Sequence, residues 1–322
     1  MSGQLILAGN VIADLVIEVP ALPERGGDVI GTRTELTAGG GFNTLVAAGR
    51  LGAETVFAGL HGTGPYGDLV RTALAAEGVR PLLPARTDGD TGFTVALVDA
   101  GGERTFVTSF GVDAEMRPDD MAKVAAEVRA GDLVQLSGYG LVMPVNGPLL
   151  CAFAAGLPRG VTLCLDPAPL VADIPAAVLE PVLARTDWLS ANAREASLMS
   201  GSESPGRAAA ALRARLAPGA GVLVRADKDG CWLAPPDGSA PVHVAGFPVT
   251  AVDSNGAGDA HVGAFLALLG EGAAPEAAVR AANAAAAYAV TRRGPATAPT
   301  RQELIVFARD AGAQDVVALL GG

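Results

Sequence analysis

The residues best placed to do chemistry stand in one run, Asp253-Ser254-Asn255-Gly256-Ala257-Gly258-Asp259, followed by the apolar stretch HVGAFLALLG. Small residues at Gly256, Ala257 and Gly258 let backbone N–H groups converge with no side chain in the way. A helix beginning there adds its unpaired N–H groups and the positive end of its dipole. Together these make an anion hole suited to charge building on a phosphoryl group in transfer. Asp259 falls in the first turn, where its carboxylate can take a proton from an attacking hydroxyl. An ordinary aspartate at a glycine-rich helix start has the same four residues, so Gly-Ala-Gly-Asp alone does not decide.

Two other patterns compete for attention. Gly62-Thr63-Gly64-Pro65-Tyr66-Gly67 spells G-x-G-x-x-G, with Asp88 about twenty residues downstream, as a dinucleotide fingerprint would have it. It does not follow the first strand, however, where LILAGN (5–10) ends without such a loop, and it reads as a glycine-rich turn opening a helix. Asn192-x-x-Glu195 has the spacing of a capping box, with Asn in place of Ser or Thr. A G-x-x-x-x-G-K-[ST] loop cannot exist, because Lys123 and Lys228 are the only lysines and neither has those neighbours.

The elements that must position these groups alternate. Helical patterns near 43–51, 66–77, 118–129 and 175–184 separate strand patterns at 5–9, 55–59, 132–137, 161–165 and 186–190. GVLVRA (221–226) adds a strand, and Ala-rich helices near 257–270, 276–292 and 300–311 close the chain. This order predicts a mostly parallel sheet covered on both faces, with ligands beyond the carboxyl ends of its strands. DLVIEV (14–19), DVIGTRTEL (28–36) and residues 93–109, with a hairpin turn at Asp99–Gly102, read instead as half-exposed strands.

Composition narrows the classes. A chain of 322 residues, half of them hydrophobic, can bury a sizeable core. A net charge of −11 argues against a nucleic-acid partner, since phosphate backbones require clustered Lys and Arg. Cys151, Cys164 and Cys231 have no CxxC spacing, and Cys164 in VTLCLD reads as a small buried hydrophobe. The start MSGQLILAGN lacks a signal-peptide pattern and no apolar run reaches membrane-spanning length, so the expectation is a cytoplasmic protein with no membrane partner.

DSNGAGDAHVGAFL resembles the second signature of the ribokinase-like (PfkB-type) carbohydrate kinases, and Ala38-Gly39-Gly40-Gly41-Phe42-Asn43, then Gly52 and Gly62, resembles the first. Gly9-Asn10 with Asp14, Asn192-Ala193-Arg194-Glu195, Lys228-Asp229-Gly230-Cys231 and Gly294-Pro295 through Thr300 extend the resemblance along nearly the whole chain. It implies a three-layer α/β/α sandwich (1–13, 37–90 and 110–322) with a small β-sheet lid (14–36 and 91–109). It implies ATP-dependent phosphorylation of a sugar hydroxymethyl group, with Asp259 as base and the 256–259 backbone as anion hole. Asp14, Asn10, Gly39, Gly40, Asn43 and Ser137 would bind the sugar. Asn192, Arg225, Asp227, Gly230, Asn255 and Asn283 would face ATP. Asn192 and Glu195 would hold Mg²⁺ through water, and Asp253 with the Arg292–Gly294 loop would form a site for a monovalent cation such as K⁺. The lid would also support a homodimer.

Several positions depart from that pattern. Leu45 replaces a small residue, and Arg225-Ala226-Asp227 brings a carboxylate towards the nucleotide phosphates. Ser137-Gly138-Tyr139-Gly140 stands where ribokinases usually have a glutamate, and Gly40 stands where their sugar loop has lysine. Arg33, Arg86 and Arg104 could meet an acidic substrate. Phe42, Phe106, Phe110 and Tyr139 could form a stacking wall, which keeps a nucleoside kinase as the alternative, beside a non-catalytic sugar-binding protein.

Overall fold

Strands with no polar alternation need cover on both faces, and the structure supplies it. The computed structural model describes residues 3–321. Its strands are β1 (Leu5–Ala8), β2 (Val11–Glu18), β3 (Arg33–Gly40), β4 (Thr55–Phe57), β5 (Arg80–Pro81), β6 (Phe93–Val98), β7 (Arg104–Ser109), β8 (Leu133–Ser137), β9 (Thr162–Asp166), β10 (Trp188–Asn192), β11 (Gly221–Arg225), β12 (Gly230–Ala234) and β13 (Val242–Ala245). Among the described residues, nine form one sheet in the order β13-β12-β11-β10-β9-β8-β1-β4-β5. All of its pairings are parallel except β11 with β12 and β12 with β13.

Neighbouring residues along each strand go to opposite cores. Leu5, Leu133, Cys164 and Leu223 pack under the helices Ala257–Gly270, Pro275–Val290 and Arg301–Asp310. Ile6, Val134, Leu163 and Val222 pack under Pro118–Glu127, Asn146–Ala155, Ala176–Arg185 and Pro205–Arg213. The three layers expected from the alternation are present, and Cys164 is a fully buried free thiol. No helix among the described residues is long and apolar enough to cross a membrane.

The sheet's strand order reverses between β1 and β8, and the crevice beyond that point is where such sheets bind ligands. The strand ends there carry polar residues. Ser137, Asp166, Asn192 and Arg225 are the last residues of β8, β9, β10 and β11, with Ser137 paired to Asp166 and Asn192 to Arg225.

The second sheet, β3-β2-β6-β7, stands over this end. Its strands reach further towards the large sheet than the 14–36 and 91–109 boundaries anticipate, because β2 starts at Val11 and β3 runs to Gly40. The 28–31 part of the expected strand is not one, since an exposed, glycine-broken loop (Gly26, Gly27, Gly31) precedes β3. Asp14, paired with Thr37 and Thr94, shares one face of this lid with Val16, Glu18, Arg104 and Phe106.

Candidate active site

Gly256 has φ 72°, a left-handed conformation that favours glycine, and caps the Ala257–Gly270 helix with no side chain on its free N–H groups. Asp259 lies in that helix's first turn. The helix can be held close to Phe42–Arg50 because Gly263 has no side chain: a Cβ there would stand 2.4 Å from the Thr44 carbonyl oxygen. The contact brings Asn43 Nδ2 to 3.3 Å from Asp259 Oδ2 and Thr44 Oγ1 to 3.1 Å from Asp259 Oδ1. Burial, then the charge of Asp166, pushes the Asp259 carboxyl up to about 6, against the pull of Asn43, Arg225 and Thr44. Asn43, expected on the sugar, thus first holds Asp259, while its buried Oδ1 has no protein partner. Thr44 had no motif to announce it.

Beside the Gly256–Asp259 helix start, the Arg225 guanidinium lies 3.6 Å from where a Gly258 Cβ would be. It is 3.0 Å from Asp166, 3.7 Å from Glu195 and 3.2 Å from Ser190 Oγ. Asp166 went unnoticed in the sequence, although a carboxylate closing the apolar strand TLCLD was a usable signal. Glu195 is buried, and that burial, with Asp166 nearby, raises its carboxyl to about 7 while Arg225 opposes the rise. The capping box is real: Asn192 Oδ1 accepts the Glu195 N–H at 2.8 Å, and Glu195 accepts both the Asn192 N–H at 2.8 Å and Nδ2 at 2.7 Å.

Among the described residues no cluster of three His, Cys, Asp or Glu side chains could chelate a metal directly. The Asn192–Glu195 pair has its polar atoms turned on each other and offers no direct chelate, so a Mg²⁺ here would be reached only through its waters.

The other residues expected at ATP divide. Asp227 is solvent-exposed in a turn after β11, at φ 47°, so its carboxylate is not pressed into the crevice. Gly230 is required by packing, since a Cβ would meet the Val244 carbonyl at 2.3 Å. Asn283 is buried, donating to the Val244 and Ala245 carbonyls at 2.9 and 3.2 Å and pairing with His261 at 3.2 Å. It holds β13 and leaves no amide atom free for a nucleotide.

On the acceptor side, a Cβ on Gly39 would stand 1.9 Å from Asp14 Oδ2, so this glycine makes room for the carboxylate. Burial, then the neighbouring charge of Asp259, raises the Asp14 carboxyl to about 7. Gly40, at φ 63°, allows the chain to pass the Asn10 carbonyl. Asn10 Nδ2 donates to Asp113 Oδ2 at 3.0 Å; Asp113, also unnoticed in the sequence, takes the Gly92 and Gly111 N–H groups at 2.6 and 3.0 Å on Oδ1. Ser137 Oγ caps a short helix by accepting the Tyr139 N–H at 3.3 Å. The Tyr139 phenol is pushed up to about 12 by partial burial and by the charges of Asp166, Asp259, Glu195 and Asp14, although 40% of the residue remains exposed. Phe106, Phe110 and Tyr139 are exposed, whereas Phe42 belongs to the core and cannot stack on a ligand.

The arginines considered for an acidic substrate are all paired. Arg33 meets Glu35 at 2.8 Å, and Arg86 meets Asp88 at 2.5 Å. Arg104 contacts Asp253 Oδ1 and donates to Ser254 Oγ at 3.2 Å. Asp253 Oδ1 also accepts the Asn255 N–H at 2.8 Å, and Oδ2 the Gly294 N–H at 3.1 Å. The carboxylate expected to hold a monovalent cation therefore already holds an organic one.

The competing G-x-G-x-x-G turn is also filled. Asp90 accepts the Tyr66 N–H at 3.0 Å and the Gly67 N–H at 2.8 Å, leaving no room for a pyrophosphate at the start of Pro65–Ala76.

Such a fold and site define a phosphotransferase class, and comparison with known proteins makes it specific. The profile of the pfkB family carbohydrate kinases matches residues 3–302, and the chain belongs to that family. It is 34% identical over 305 residues to the uncharacterized sugar kinase YegV of Escherichia coli, covering 94% of this chain and 93% of the relative. The ribokinase of Thermotoga maritima matches with a TM-score of 0.80 over 96% of this chain and 100% of its own, at 24% identity. Arabidopsis thaliana ribokinase, solved with ribose and ATP, gives 0.75 over 95% and 99%, also at 24% identity. The chain is a carbohydrate kinase of the ribokinase fold.

Proposed function

We propose that this kinase transfers the γ-phosphoryl group of ATP to a hydroxymethyl group of a small sugar or sugar derivative. The observation that carries this reading is Asp259: it stands at an uncapped helix start, both its oxygens are held, and its carboxyl is tuned to about 6. At neutral pH such a group is ionised yet basic enough to take the hydroxyl proton. The N–H groups of residues 256–259 receive the phosphoryl oxygens, and Arg225 adds a fixed positive charge behind them. Mg²⁺ supplies charge neutralisation on the nucleotide phosphates; Asn192 and Glu195 hold its waters. Asp14, Asn10 and the backbone at Gly39 and Gly40 orient the sugar, and the lid excludes water.

A nucleoside acceptor is the second reading, favoured by the exposed Phe106 and Tyr139 beside the crevice. The lid's outer face, with Leu15, Ile17, Val95 and Leu97 half-buried and Leu36 and Val107 exposed, suits the same face of a second copy, giving a homodimer. ADP release from Mg-ATP across sugars, sugar acids, sugar phosphates and nucleosides, with Asp259→Asn in parallel, tests the assignment. Acceptor-stimulated turnover lost in the variant is the expected result. Stimulated turnover that survives in the variant would remove Asp259 from the base's role.

A further inference from the structure

The Arg104–Asp253 contact lies against the anion hole but comes from the lid. Asp253 is three residues before Gly256, and its two oxygens tie together the Asn255 and Gly294 N–H groups, so one carboxylate organises both loops that flank the helix start. A buried carboxylate in that position needs a cation beside it. Here Arg104, on lid strand β7, supplies it, and its Nη1 also reaches Ser254 Oγ at 3.2 Å. Only 18% of the Arg104 side chain and 14% of the Asp253 side chain are exposed, so water screens the pair weakly. The two residues are 149 positions apart, and nothing but lid placement brings them together. Around them Glu18 meets Arg293 at 3.2 Å, joining a second lid strand to the loop that carries Gly294.

We propose that Arg104 takes the place of a bound monovalent cation in this kinase, so that the charge organising the anion hole arrives with the lid and not from solution. Arg104 is a positioning residue, acting on the phosphoryl site through Asp253. Two consequences follow: turnover is indifferent to the monovalent cation present, and the anion hole is fully organised only when the lid is down. The inference rests on the kinase reading above for its activity arm alone.

The test compares wild type, Arg104→Gln and Arg104→Lys in K⁺, Na⁺ and tetramethylammonium chloride at equal ionic strength, reading kcat, acceptor KM and thermal midpoint. Wild type should show kcat within twofold across the three salts and no K⁺-specific rise in melting temperature. Arg104→Gln should lose roughly tenfold or more in kcat, with K⁺ restoring part of it in a saturable way and raising the melting temperature above that in Na⁺. Arg104→Lys should keep most activity and stay salt-indifferent, which a purely structural loss at this position would not predict. Wild-type kcat stimulated fivefold or more by K⁺ would overturn the proposal, as would a K⁺-specific rise in the wild-type melting temperature. The melting arm gives its answer even for a panel that lacks the acceptor, so failure of the kinase assignment and failure of this inference are separable.

Discussion

Two glycine-rich helix starts in this molecule look alike in sequence and differ in one respect. At Gly62–Gly67 the chain supplies its own anion, because Asp90 occupies the N–H groups of Tyr66 and Gly67. At Gly256–Asp259 no side chain caps the helix, and the charges beside it are the paired Arg225 guanidinium and the Asp259 carboxylate. The first is a closed structural turn; the second is left open, as the proposed anion site requires. The distinction is not in the glycines: it depends on a residue 24 positions away from the first turn. A helix N-terminus becomes a ligand site when the rest of the fold declines to cap it.

That contrast can be broken at the open site first. Asp259→Asn should lower kcat by about 10³-fold with a normal far-UV spectrum, because an isosteric amide cannot accept the proton. kcat/KM should fall tenfold per unit below about pH 6 and level off above it, since Asp259 titrates at about 6 and acts only when ionised. Removing one hold on the base sharpens the point. Thr44 donates to the charged form, so Thr44→Val should shift that acid limb upward by about one pH unit. Gly256→Ala should cost about 1 kcal/mol of stability in chemical denaturation from its left-handed backbone, since the added Cβ would meet Asn43 and Ala296 only at ordinary contact distance. At the closed site, Asp90→Ala should cost about 1 kcal/mol by the same measurement, with kcat and KM unchanged and no affinity for a dinucleotide gained.

The sheet, its covering helices and the lid hairpins were legible because their patterns repeat over many residues. Asn146–Ala155 was not, as NGPLLCAFAA is apolar on every side and has no periodic face to read. Pro205–Arg213 and Gln314–Leu319 also passed unread, being short and Ala- or polar-rich. In the candidate site, Asp259 and its glycines form a contiguous motif. Thr44, Asp113 and Asp166 do not; each matters through a partner distant in the chain. The same reason explains Asn283, which reads as a polar residue on a helix face and is used up by the β13 carbonyls. It also explains Arg104, whose partner no local pattern identifies.

The lid's construction bears on how the molecule assembles. It consists of two ribbons, β2 with β3 and β6 with β7, each closed by a loop within its own segment. They become one sheet only through the parallel pairing that sets Ala13 against Phe93, between stretches about eighty residues apart in the chain. Each ribbon closes through local contacts, whereas the seam between them closes a longer loop that contains β4, β5 and the Pro65–Ala76 helix. The seam should therefore be the last part of the lid to gain hydrogen-exchange protection during refolding, and the first to lose it when the native state opens locally. The kinase would acquire its stable scaffold before it acquires its cover.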